Sequence, residues 1–196
     1  MGHATIDHFR IILKNDAQPV KQRPYRHSPV LAAKVQTEIH KMVMAGFWVQ
    51  SYSNWSSPLV VIAKADGCIR ITCNYKRLNA QSIIPVLPLP TVDYLSLLGA
   101  NISSTMDLVS GFFQRSTHED SIPLTAVCIQ AGNYEGTVMP TGLASSPGWL
   151  QSIMLLVCDG LKRVRLLSTI LCVFRRTELS MWLTLRDSLN DLRYLN

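Results

Sequence analysis

The sequence lacks the patterns that are typical of secreted proteins, of proteins with structural zinc sites and of membrane-spanning proteins. Its five cysteines include no Cys-x-x-Cys pair, so neither a zinc site nor a disulfide framework is indicated. No apolar run approaches membrane-spanning length, and no apolar segment follows a basic one at the N-terminus. Internal repeats and low-complexity tracts are also absent. We therefore expect an intracellular protein, cytoplasmic or nuclear, that is not secreted and has no membrane anchor.

Acidic residues are the scarcer charged class. Asp and Glu number 13 against 19 Lys and Arg, which gives a formal net charge of +6. This balance suits a polyanionic partner such as nucleic acid, although many basic proteins bind none. The 196 residues suffice for one sizeable core or two small ones.

The first segment, residues 1–27, is predicted to be an extended leader because two prolines interrupt any helix. Its cations form a short basic run: Lys21, Arg23 and Arg26. A solvated arm and a nucleic-acid contact are both compatible with this pattern.

A helix is predicted to begin at Ser28 and Pro29, since Ser caps helix N-termini and Pro tolerates the first helical position. Apolar residues then recur every four positions and predict one buried face: Leu31, Val35, Ile39 and Val43. Gly46 can end the helix in a left-handed conformation.

Two β-branched runs, LVVIAK at 59–64 and IRITCNY at 69–75, flank an Ala-Asp-Gly turn and predict a β-hairpin. Lys64 and Arg70 lie close to its tip. A proline-marked loop and a short helix are predicted to follow within residues 87–100.

A further strand is predicted over residues 103–108, SSTMDL, ahead of Gly111 and two phenylalanines. Asp107 at this strand end is a candidate Mg2+ ligand, since Mg2+ prefers one or two carboxylates. An exposed aspartate with no ligand is the alternative. Ser146 and Pro147 then open another helix.

Taken in order, these segments resemble the N-terminal half of a Ty3/gypsy-type reverse transcriptase, from about His8 to about Leu161. The matching motifs are RPYRHSP, MAGFWVQSYSNWSSPLVVIAKADG, CIRITCNYKRLNA, PLP at 88–90, STMDLVSGFFQ, TA at 125–126 and NYEGTVMPTGLASSPGWLQ. Their order and spacing together make the resemblance specific. It implies an α+β fold, the fingers and palm of a right-hand polymerase, with an incomplete palm and no thumb.

The resemblance also implies roles in the palm. Asp107 corresponds to the first metal-binding, catalytic aspartate, and the Leu108 carbonyl to a ligand beside it. Phe112 falls at the family's aromatic steric gate, which selects deoxynucleotides. Two Mg2+ ions would clamp the attacking and leaving oxygens of phosphoryl transfer.

In the fingers, the resemblance assigns Lys64 and Arg70 to the triphosphate of an incoming deoxynucleotide, where a Lys charge and an Arg fork suit phosphate oxygens. Gly142 lies where the family's chain passes close to nucleotide and template. The expected partners are therefore an RNA or DNA template-primer and deoxynucleoside triphosphates.

Several positions depart from the family pattern. Asn74 stands in place of Asp, Leu124 in place of Lys and Thr141 in place of Phe. Gly148 and Trp149 replace Ala and Thr.

The largest departure is the second catalytic motif, because no Asp-Asp pair occurs anywhere in the chain. The family places it near Thr169 to Cys172, where this chain reads STILCVF from residue 168. We expect residues 163–196 to be an out-of-frame tail after a fingers and palm fragment at 28–162. Catalysis and productive Mg2+ binding are then expected to be lost. The alternatives are a basic nucleic-acid-binding fragment without catalysis and an unfolded pseudogene product.

Overall fold

The computed structural model describes residues 8–65, 67–85, 102–108, 110–158, 164–167 and 170–175. The chain divides into two compact units. The larger unit comprises His8–Ile84 and Phe112–Ser146, and the described residues at 102–111 and from Pro147 onward belong to the smaller unit. The helix predicted within residues 87–100 lies outside the described residues.

The described helices and strands mix along the chain, with two or three strands after each helix. In chain order they are α1 (Pro29–Met44), β1 (Trp48–Gln50), β2 (Ser57–Ala63), β3 (Ile69–Cys73), α2 (Lys76–Gln81), β4 (Ile102–Asp107), β5 (Val127–Ile129), β6 (Gly132–Gly136), α3 (Ser146–Val157), β7 (Val164–Leu167) and β8 (Ile170–Arg175). Short 3-10 segments span Gly111–Gln114 and Glu119–Thr125. No described helix has the length and apolar character needed to cross a membrane.

Helix α1 begins as the sequence predicts. The Ser28 hydroxyl accepts a hydrogen bond from the Leu31 amide at 3.4 Å, and Pro29 occupies the first helical turn. After the helix, Gly46 adopts a φ of 74°, in the left-handed region that glycine tolerates without a Cβ clash. Both helix-end predictions are confirmed.

The apolar face of α1 is narrower than predicted. Val35 and Ile39 are buried, whereas Val43 is 37% exposed. The four-residue spacing drifts around the helix, because 3.6 residues make one turn. Val43 has consequently rotated toward solvent.

The larger unit is built on a five-stranded sheet with strand order β1-β6-β5-β2-β3. Strands β2 and β5 run parallel, and the other neighbours are antiparallel. The β2–β3 hairpin predicted from sequence is confirmed, with Leu59 opposite Cys73 and Ala63 opposite Ile69.

The described part of the leader, from His8 onward, is packed into the larger unit. Phe9 is completely buried and forms a β-bridge with Thr117. Lys21 bridges to Ser56 at the start of β2. The described part of the leader is therefore not a solvated arm. It pairs with the larger unit and contributes Phe9 to the core.

The core of the larger unit includes the phenol of Tyr75. Tyr75 is 2% exposed, and its hydroxyl donates a 2.7 Å hydrogen bond to the Thr125 carbonyl. This bond satisfies the phenol inside an apolar environment, where an unpaired hydroxyl would be costly. Burial raises the pKa of Tyr75 well above its usual value, so the hydroxyl keeps its proton.

The smaller unit contains a three-stranded antiparallel sheet with strand order β4-β8-β7. The predicted strand around Asp107 and the predicted helix opened by Ser146 and Pro147 are both confirmed. Within the segment expected to be an out-of-frame tail, Val164–Leu167 and Ile170–Arg175 form strands. The frame of this segment stays a prediction.

One arginine in the larger unit is poorly accommodated. The Arg115 Nη2 atom is buried and has no hydrogen-bond partner among the described residues. Burial also lowers the pKa of this guanidinium, because removal from water disfavours its charged form. This nitrogen therefore carries a desolvation cost that no described hydrogen bond offsets.

We expect Arg115→Met to raise the free energy of unfolding by about 1–3 kcal/mol, the cost of an unsatisfied buried polar group. Methionine keeps the length of the side chain and needs no hydrogen bond. Thermal unfolding measures the change, and the exposed Arg77→Met is the control, with an expected change within about 0.5 kcal/mol. A lower melting temperature for Arg115→Met than for the parent would contradict this account.

Candidate nucleic-acid and nucleotide site

Lys64 and Arg70 project from one face of the β2–β3 hairpin. Arg70 is the ladder partner of Ile62, and Lys64 lies two residues beyond Ile62. Cross-strand partners share a face, as do residues two apart on one strand. Both cations are exposed. The structure thus brings these two predicted phosphate-binding residues together as diagonal neighbours.

The same face continues along β3 to the loop that carries Gly142. Thr72 is two residues from Arg70 and lies opposite Val60. Its Oγ1 atom is 3.5 Å from the Oγ1 atom of Thr141, the residue that replaces phenylalanine in the family motif. Two hydroxyls therefore stand beside the two cations, in a row that can donate to phosphate or sugar oxygens.

Gly142 is required by close backbone packing. Its φ is 100°, and a Cβ atom built there would lie 2.4 Å from the Cys73 carbonyl oxygen. Such a distance is a hard clash with a backbone atom that cannot rotate away. The local packing alone accounts for glycine at this position, and its predicted contact with a nucleotide stays a prediction.

Asn79 fixes the loop from the other side, and we did not predict its role from the sequence. Its Nδ2 atom donates to the Gly142 carbonyl at 3.2 Å, and its Oδ1 atom accepts from the Ala144 amide at 3.0 Å. The only signal was its place in the CIRITCNYKRLNA motif. Asn79 and the Cys73 carbonyl together determine the path of the Thr141–Gly142 segment.

The Cys73 thiol takes no part in this site. It is buried, and burial raises its pKa to about 12. The thiol is therefore protonated at neutral pH and is a poor nucleophile, since thiolate is the reactive form.

A second group of cations lies at the opposite end of the hairpin, where β2 begins. Lys21, Arg23 and Arg26 are all exposed. The Tyr25 hydroxyl accepts a 2.9 Å hydrogen bond from Asn74 Nδ2, and the Asn74 amide donates to the Pro58 carbonyl. This places the basic leader along the start of the hairpin.

Asp107 and Leu108 lie at the end of β4 in the smaller unit. Asp107 is exposed, and its partner across the ladder is Ile170 of β8. Ile170 belongs to the segment where the family's second aspartate motif is missing. Phe112 follows in the 3-10 segment Gly111–Gln114 and is half-buried.

Gly142→Ala is expected to lower the free energy of unfolding by more than about 2 kcal/mol, because the new methyl group meets the Cys73 carbonyl in addition to the backbone strain. Gly46→Ala is a matched control: its φ is also positive, and nothing lies within 4 Å of the added Cβ. This control carries only the left-handed backbone cost of about 1–2 kcal/mol. Chemical denaturation distinguishes them, and equal losses would show that the close approach to Cys73 is absent.

Comparison with known proteins places the chain in a family. No protein-family profile matches it. It is 32% identical over 143 residues to the retrovirus-related Pol polyprotein from transposon 297 of Drosophila melanogaster, covering 69% of this chain and 14% of the relative. It is 29% identical over 158 residues to the corresponding polyprotein from transposon 412, covering 76% and 13%.

The enzymatic polyprotein of Cauliflower mosaic virus (strain CM-1841) is 31% identical over 150 residues, covering 74% of this chain and 22% of the relative. The chain therefore spans less than a quarter of each of these relatives. Among solved structures, the foamy viral protease-reverse transcriptase in complex with RNA/DNA hybrid matches with a TM-score of 0.83 at 19% identity, covering 94% of this chain and 25% of that chain. The chain is therefore a reverse transcriptase-like domain, homologous to retrotransposon Pol polyproteins, with the fingers and palm fold of a reverse transcriptase.

Proposed function

We propose that this chain is a reverse transcriptase-like domain that binds template-primer nucleic acid through its fingers and does not polymerise. The observation that carries the proposal is a contrast between the cations of the hairpin and the surroundings of Asp107. The hairpin presents Lys64 and Arg70 on one exposed face, whereas Asp107 has an apolar ladder partner, Ile170.

Polymerase chemistry would require two Mg2+ ions beside Asp107, and the sequence contains no Asp-Asp pair that could hold them together with Asp107. A two-metal site needs several carboxylates that share both ions, and Mg2+ holds few other side chains well. Within the described ranges, no three His, Cys, Asp or Glu side chains lie together in a metal-binding arrangement. The missing Asp-Asp pair is the basis for proposing binding without metal-dependent catalysis.

Charge and position support the nucleic-acid partner. The hairpin cations and the leader cations lie at opposite ends of β2, about 20 Å apart at 3.3 Å per strand residue. That span matches about six phosphates of one strand at 3.4 Å each. The related foamy viral protein has been solved with an RNA/DNA hybrid and with double-stranded DNA. Lys64 and Arg70 are also the groups that would hold the triphosphate of a deoxynucleotide.

Replacing both hairpin cations should weaken binding to an RNA/DNA hybrid in a salt-dependent way. Each lost phosphate contact lowers the slope of log K against log salt by about 0.9, so Lys64→Met with Arg70→Met should lower it by about 1.8. Fluorescence anisotropy across a salt series measures this slope. Lys14→Met with Lys41→Met removes the same charge elsewhere on the larger unit and should leave the slope unchanged. Affinity that is independent of salt in the parent would rule out the proposed binding mode.

The parent chain is expected to show no primer extension with Mg2+ or Mn2+ on a poly(rA) template, because the sequence has no Asp-Asp pair to complete a metal site with Asp107. Thr169→Asp with Ile170→Asp should instead create calorimetrically detectable Mn2+ binding, since residue 170 lies opposite Asp107. Adding Asp107→Asn to that variant should abolish the gain. Extension by the parent that Asp107→Asn removes would show that the chain is an active polymerase.

A further inference from the structure

The tip of the β2–β3 hairpin is tied to helix α1 by one lysine. Lys34 of α1 donates from Nζ to the Gly67 carbonyl at 2.8 Å. Gly67 in turn donates its amide to the Lys64 carbonyl at 3.1 Å, and the Lys64 amide donates to the Cys68 carbonyl at 2.9 Å. A continuous hydrogen-bonded path thus runs from α1 to the backbone of Lys64.

This tip needs support from outside the hairpin. Gly67 is exposed and adopts a φ of 77°, in the left-handed region that glycine tolerates because it has no Cβ atom. Among the described residues, strand β2 pairs with β5 only at Ser57 and Pro58, so the tip has the character of a two-stranded hairpin, which is marginally stable in water when isolated. A hydrogen bond from an ammonium to a carbonyl is stronger than a neutral one, and α1 is a packed element that can hold it.

We propose that Lys34 is a positioning residue that holds the hairpin tip so that Lys64 and Arg70 face the same nucleic-acid strand. The inference rests on the proposed function, because it concerns how the cations of that site are oriented. A backbone fixed before binding loses less conformational freedom on binding, which raises affinity without any new contact to the ligand.

A direct role for Lys34 as a phosphate ligand is the competing explanation, and it makes a different prediction. A direct contact contributes about 0.9 to the salt slope for duplex nucleic acid. A positioning residue changes affinity and the mobility of the tip, and it leaves that slope unchanged. Salt dependence therefore separates the two roles.

The test compares three single variants of the full chain. Lys34→Met removes the donor and keeps the aliphatic stem, and Lys34→Arg keeps a charged donor. Lys14→Met is the matched control, because Lys14 Nζ donates to the Ala80 carbonyl at 2.7 Å, the same kind of bond at another place in the larger unit. Amide hydrogen exchange at Lys64 and Gly67 reports the tip, and anisotropy with an RNA/DNA hybrid reports binding.

We expect Lys34→Met to accelerate exchange at both amides and to weaken binding by about two- to tenfold, the effect of one exposed charge-assisted hydrogen bond. The salt slope should stay at the parent value. Lys34→Arg should restore both readouts, and Lys14→Met should change neither.

Unchanged exchange in Lys34→Met would overturn the inference, as would a slope lowered by about 0.9 with the exchange unaltered. If Lys34→Met accelerates exchange but keeps full affinity, the hydrogen bond from Lys34 holds the tip without affecting binding. That result also overturns the positioning role. If Lys64→Met and Arg70→Met weaken binding but Lys34→Met does not, the proposed function stands and the inference fails. If the parent binds no hybrid, the proposed function fails and positioning for binding fails with it.

Discussion

The register of the β2–β3 ladder is the constraint on which the candidate site depends. It puts Leu59 and Cys73, both buried, on one face of the hairpin, and Lys64 and Arg70 on the other. A shift by one residue would turn both cations toward the apolar side. The burial of Leu59 and Cys73 therefore favours the same register that places the cations on the opposite face.

That register has a second consequence at the far end of β3. It places the Cys73 carbonyl where the Thr141–Gly142 segment passes, which leaves no space for a Cβ atom at residue 142. The Thr72 and Thr141 hydroxyls meet beside it. One ladder thus sets the positions of the cations, the hydroxyl pair and the glycine.

The sequence predicted the helix ends and the hairpin turn, because these features depend on residues close together in the chain. The cap at Ser28, the stop at Gly46 and the hairpin around Gly67 each follow from the conformational preference of a single residue. Long-range packing was not predictable in this way. Burial of Phe9 needs Thr117, more than one hundred residues further along the chain, and the Asn79 contacts with Gly142 and Ala144 join segments separated by more than sixty residues.

In the smaller unit, the groups that make the sheet are different from the groups that polymerase chemistry would need. Strand β4 pairs with β8 over six residues, from Ile102 opposite Arg175 to Asp107 opposite Ile170. Backbone amides and carbonyls make this ladder, and they are the same whatever side chain stands at residue 170. Isoleucine even favours the strand, because β-branched residues fit the pleated surface. A carboxylate at that position would add no hydrogen bond to the ladder, but it could help to hold a shared metal ion. Under the proposed function, isoleucine in place of such a carboxylate would leave the sheet intact and would remove a ligand of a two-metal site.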